Sequence, residues 1–270
     1  MNKEIDKQLK RLNKLENKIL NKKENQLFKT KVGPVIDKIE GIIPEKLKSV
    51  LEYAFFKGFQ LVFDKGHKYI EKTYNKDKLQ LEYDLNNYAV DKKMSKEYMK
   101  KLDKQANQSN LLNSAISVVE GGVLGVLGIG LPDIPLFISV IMKNIYEIVL
   151  SYGYDYESKE EKFFILLLIC GALSEDDKQK KLNEEIDQIG IDMDQQIYAE
   201  IDLDEQMKVT SIILSEAMLT AKFIQGIPIV GAIGGVVNYN VIKKIGKYAS
   251  LKYKKRYLLG KARKRNDTVL

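Results

Sequence analysis

The sequence predicts an all-α protein: a single helical bundle-like domain with two Gly/Pro-rich apolar helical hairpins and a basic N-terminal helical arm. Three observations lead there. Prolines are confined to Pro34, Pro44, Pro132, Pro135 and Pro228, so long stretches carry no helix breaker. Those stretches are rich in Lys, Glu, Leu, Ile and Gln, most of which enter a helix at little cost. Apolar residues recur every three or four positions, and no convincing alternating ladder marks a strand.

Residues 4–29 place Ile5, Leu9, Leu12 and Ile19 near heptad spacing, with Glu16 breaking the stripe. That pattern favours a docked amphipathic surface helix over a coiled-coil arm. Val32-Gly33-Pro34 ends it, and Pro44 opens a helix with Leu47, Val50, Leu51, Ala54 and Phe55 at helical spacing. Residues 77–107 read as one mixed-charge helix, although Leu79-Gln80-Leu81 alternates and suits an extended segment. An apolar centre follows: a helix from about Asn110 to Gly128, a Gly/Pro elbow, and a helix from Pro135 to about Tyr152. Glu160 to Leu173 is a short, very apolar helix, too short to span a bilayer. Ser174 is a candidate cap for the next helix, whose first turn carries Glu175, Asp176 and Asp177. Residues 204–225 are helical, and Ile242 to about Leu259 form an amphipathic basic helix with Ile242, Ile245, Ala249, Tyr253 and Tyr257 on one face. The expected division is an arm over 1–31, a helical domain over 32–260 and a basic tail over 261–270.

Hydrophobic content of 44%, charged content of 30% and a mean hydropathy of −0.27 fit a folded soluble chain and argue against a multi-span membrane protein. No apolar leader follows MNKEIDKQLKRLNK, so a cytoplasmic location is the plain expectation. The net charge of +7 is unevenly placed. Lys3 to Lys31 hold ten bases against four acids, Asp155 to Glu205 sixteen acids against five lysines, and Lys243 to Arg265 eleven bases and no acid. Such an orientation suits attraction to anionic lipid or nucleic acid, and equally a solvated Lys-rich surface.

Phe223 to Ile242 carry no charged side chain, yet Gly226, Pro228, Gly231, Gly234, Gly235 and two asparagines make this a poor transmembrane span. A second glycine-rich stretch, Gly121 to Leu131, leads into Leu-Pro-Asp-Ile-Pro. Gly121/Gly125 and Gly231/Gly235 are small-xxx-small pairs, which serve close helix packing in lipid or in a tight core alike. Gly130-Leu131-Pro132 lies fourteen residues before Asn144, and Gly226-Ile227-Pro228 fourteen before Asn240, an echo read as coincidence in preference to a repeat.

Enzyme signatures are missing: no phosphate-binding or dinucleotide loop and no nucleophile elbow is present. No cofactor and no metal site is expected. His67 is the single histidine and Cys170 the single cysteine, the latter read as a buried small hydrophobe. Asp192/Asp194 and Asp202/Asp204 have cation-binding spacing but lie in an acidic, solvated neighbourhood. Asp133 is read chiefly as an acid matched to a helix N-terminus.

Residues 130–156, GLPDIPLFISVIMKNIYEIVLSYGYDY, with 223–258, FIQGIPIVGAIGGVVNYNVIKKIGKYASLKYKKRYL, resemble the EcsC protein family. The Leu-Pro-Asp-Ile-Pro elbow, Tyr152-Gly153 and the Ile-Pro-x-x-Gly around Pro228 carry the likeness, over about residues 34–259. A wider similarity links the elbow and the Tyr-Gly pair to the helical membrane-associated tail domain behind some bacterial GTPases. The resemblance implies a bacterial protein tied to an ABC-transporter operon, with no agreed catalytic residues. Some family members have been labelled peptidases, a label that no motif here supports.

The functional expectation is a non-catalytic accessory factor, peripheral to the inner face of the cell membrane, with an anionic membrane surface or a membrane protein as partner and its oligomeric state left open. Pro132, Asp133, Pro135, Gly226, Pro228, Gly231 and Gly235 would form the membrane- or partner-binding hairpins. Lys243, Lys244, Lys252, Lys254, Lys255 and Arg256 would meet anionic lipid. The alternatives are a hydrolase built on clustered carboxylates and nucleic-acid binding through the basic ends, for which the signal is weak.

Overall fold

The computed structural model describes residues 3–21, 43–108, 133–224 and 234–267. Among them every regular element is helical: α1 (Lys3–Leu20), α2 (Glu45–Leu61), a π-helical turn (Val62–Gly66) running into α3 (His67–Glu71), α4 (Lys76–Lys92), α5 (Lys96–Gln108), α6 (Asp133–Ser151), α7 (Lys159–Leu173), α8 (Asp176–Asp194), α9 (Leu203–Ile224) and α10 (Gly234–Asp267).

The bundle is built around α6, α7 and α10. Every residue of α7 from Phe164 to Leu173 is buried, as expected for a helix that is apolar on all sides. Ser158 caps it, its Oγ accepting from the Glu161 amide at 3.0 Å. Helix α6 packs against α2, α4, α5 and α10, while α9 lies between α2 and α7. Its window Ile134–Ser151 is long and apolar enough to cross a membrane, and 72% of it is buried inside the bundle. Helix α10 touches α6, α7, α8 and α9, and α1 lies along α10 and α8.

Several boundaries follow the sequence and some differ. Helices α7 and α9 begin and end within a residue of expectation. The single helix expected over 77–107 is two, broken at Lys93-Met94-Ser95, and Leu79-Gln80-Leu81 is helical. Ser174 does not cap α8: its Oγ is buried without a described partner, and Glu175 stands at the N-cap with no side-chain bond. The basic C-terminal helix extends eight residues earlier and eight later than expected. The helix at 110–128, the elbow around Pro228, the first elbow up to Pro132, Gly121, Gly125 and Gly231 lie outside the described residues, as do the side chains of His67, Val237 and Asp133.

Two glycines are fixed by their surroundings. Gly153 follows α6 at φ +76°, and an added Cβ would stand 2.1 Å from the Tyr83 ring. Gly246 lies where α10 crosses α6, and its Cβ would meet the Asn144 amide nitrogen at 2.3 Å.

Candidate functional site

The cations of α10 divide into two sets. The inner set begins at Lys252, which is 1% exposed. Its ammonium donates to Glu16 Oε1 at 2.5 Å and Asp187 Oδ1 at 2.6 Å. Lys255 binds the other oxygens of the same two acids, Glu16 Oε2 at 2.8 Å and Asp187 Oδ2 at 2.5 Å. Two lysines and two carboxylates thus close a ring across α1, α8 and α10. Burial alone would raise the Glu16 carboxyl, but Lys252 and Lys255 together outweigh it and hold it below the usual carboxylate range.

Arg256 holds a second cluster. Its guanidinium donates to Glu161 Oε1 and to Asp194 Oδ1, each at 2.8 Å, and lies 4.2 Å from the Tyr154 ring centroid. Tyr253 donates to the same Glu161 oxygen at 2.5 Å. Lys254 pairs with Asp103 at 2.7 Å, and Lys261 with Asp91. The acidic stretch 155–205 therefore supplies counter-charges to the basic stretch 243–265 from within the fold.

This corrects the expectation for Lys252, Lys254, Lys255 and Arg256. They face carboxylates inside the bundle, because their long stems bury well once each head has an acid to meet. Lys243 and Lys244 lie on the exposed surface as expected. Pro135 sits half-buried in the first turn of α6, and Gly235 is the second residue of α10. Pro132, Gly226, Pro228 and Gly231 lie outside the described residues.

The outer set of cations surrounds a cavity of about 820 Å³ between α1, α10 and the α7–α8 junction. Leu12, Leu15, Ile19 and Leu251 form apolar walls, and Ser174 is also in the lining. Lys18, Lys243 and Lys247 are exposed at its edge. Three acids line the cavity as well: Asp103, paired with Lys254, Glu175, paired with Lys244 at 3.7 Å, and Asp176.

The carboxylates of the hydrolase alternative that the structure describes have separate partners. Asp155 accepts from the Glu157 amide at 3.0 Å and Asp202 from the Glu205 amide at 2.9 Å, while Asp194 serves Arg256. Among the described residues no group of His, Cys, Asp and Glu is arranged to hold a metal. Cys170 is fully buried, 3.3 Å from Thr210 Oγ1, and burial pushes its thiol up to about 11. Tyr248, Tyr253 and Tyr257 are interior side chains.

Sequence reasoning did not find Glu16, Glu161, Asp187 or the cavity. The available signals were the acid interrupting the apolar stripe of α1 and the acid three residues after Ser158, at the threshold of the most apolar helix.

Fold and site together define an all-helical bundle closed by a long basic helix, with a lysine-edged cavity between that helix and α1. The chain belongs to the EcsC protein family, whose model matches residues 6–258 and so takes in α1. It is 31% identical over 145 residues to Protein EcsC of Bacillus subtilis (strain 168), a stretch covering 50% of this chain and 54% of that protein. The similarity thus spans about half the length of that curated relative. No solved structure matches the chain.

Proposed function

We propose that this protein is a non-catalytic accessory factor that binds peripherally to the inner face of the bacterial cytoplasmic membrane, where it serves a membrane-protein partner such as a transporter or secretion system. The observation that carries this reading is the charge boundary on α10. Gly234 to Ile242 hold no charge, and exposed Lys243, Lys244 and Lys247 follow within the next two turns, joined by Lys18 from α1. An apolar segment ending in a cationic turn suits the junction of acyl chains and anionic head groups. Each such lysine contributes about 1 kcal/mol near an anionic surface. The inner cations contribute little, since their charge is met by Glu16, Asp187, Glu161 and Asp194.

Vesicle flotation tests the proposal. The protein is expected to float with phosphatidylglycerol vesicles at low salt, to do so less in high salt, and to stay behind with phosphatidylcholine. Equal absence from both kinds of vesicle would overturn it.

A further inference from the structure

We infer that the cavity between α1 and α10 takes up the acyl chain of an anionic lipid, with the acidic head held at the mouth by Lys18, Lys243 and Lys247. The inference rests on the membrane reading above and specifies its ligand.

The volume of about 820 Å³ lies within the roughly 300–1,000 Å³ range of small-molecule sites. Its chemistry is divided in the manner of an amphiphile. Leu12, Leu15 and Ile19 project from successive turns of α1, and Leu251 of α10 also lines the space. Leu15 is 51% exposed although it belongs to this wall, so an apolar side chain stands ready to be covered. Five lysines line the space against three acids, Asp103, Glu175 and Asp176; Lys254 and Lys244 engage the first two, and the three mouth lysines make no ion pair with a described acid. The mouth is therefore net positive, which selects an anionic head over a neutral or zwitterionic one.

The test uses the full chain and two probes: dodecanoate in solution, with dodecanol as its neutral counterpart, and phosphatidylglycerol vesicles. Saturable one-to-one binding of dodecanoate is expected by titration calorimetry, at least tenfold tighter than dodecanol. Leu15→Trp fills the cavity from its exposed edge and should weaken dodecanoate at least tenfold. Ile19→Trp serves the same purpose, and circular dichroism checks that either variant is folded. Phosphatidylglycerol recovered from protein separated from vesicles identifies the membrane as the source, and binding of dodecanoate alone identifies a free acid. Flotation without saturable dodecanoate binding, or binding indifferent to both tryptophans, overturns this inference and leaves the peripheral reading standing. Dodecanoate binding without flotation upholds the cavity and overturns the peripheral reading.

Discussion

Glu147 on α6 is largely withdrawn from water, and Lys143, one turn away, donates to the Thr73 carbonyl at 3.1 Å. Burial pushes its carboxyl up to about 7, with Lys143 opposing. The folded protein therefore holds a proton here that the unfolded chain, titrating near 4.5, has released. Stability tied to Glu147 is present below pH 4.5 and is lost as pH rises toward 7. Glu147→Gln should flatten that slope and stabilise the protein at pH 8 by on the order of 1–3 kcal/mol. Urea unfolding at pH 5 and pH 8 measures it, and a variant with the parent's slope would contradict the assignment. Arg256 raises the opposite case. Truncation to alanine leaves Glu161 and Asp194 without their shared cation, a loss of roughly 3–5 kcal/mol by denaturant unfolding. Gly153→Ala meets both a left-handed backbone and the Tyr83 ring, and should cost about 2–4 kcal/mol in the same assay.

Most helices were legible because each carries its own local signal. The apolar run of α7, the proline before α2 and the spacing along α9 reveal element type without knowledge of neighbours. The break at Lys93-Met94-Ser95 has no proline or glycine, and its local mark is Ser95, whose Oγ accepts from the Tyr98 amide at 3.4 Å at the start of α5. Least legible was the inner half of α10. Its lysines are separated from Glu16 by more than 230 positions and from Asp187 by more than 60, and a Lys-rich helix read alone is a surface helix. The same ring ties α1 to the bundle. Glu16 is held below the usual carboxylate range, so its contribution is present above the unfolded value and is lost as pH falls through the folded one. Glu16→Gln should therefore loosen α1 selectively. Hydrogen exchange is expected to quicken across Lys3–Leu20 while α7 keeps its protection, and equal loss in both helices would count against a separately docked arm.

At the scale of the whole molecule, the C-terminal basic stretch and the acidic middle are in part partners, through Lys252, Lys255, Arg256 and Arg263 with Asp187, Glu161 and Asp194. Pairing them inside leaves the exposed cations of α10 ahead of Tyr248 at the mouth of one cavity, while α1 carries a separate exposed row in Lys3, Lys7, Lys10, Arg11 and Lys14. The candidate site was only half legible for that reason: Lys243 and Lys244 follow directly from the end of the uncharged run, while the cavity needs α1 laid against α10, a packing that composition does not disclose. The inner cations of α10 thus hold the fold together, and the outer ones are those proposed to bind. Co-flotation of Lys243→Glu/Lys247→Glu with phosphatidylglycerol vesicles at low salt, beside the parent protein, tests this division most directly. Two charge reversals at about 1 kcal/mol per charge should lower vesicle affinity tenfold or more with the unfolding midpoint unchanged, whereas parental flotation by the variant would contradict it.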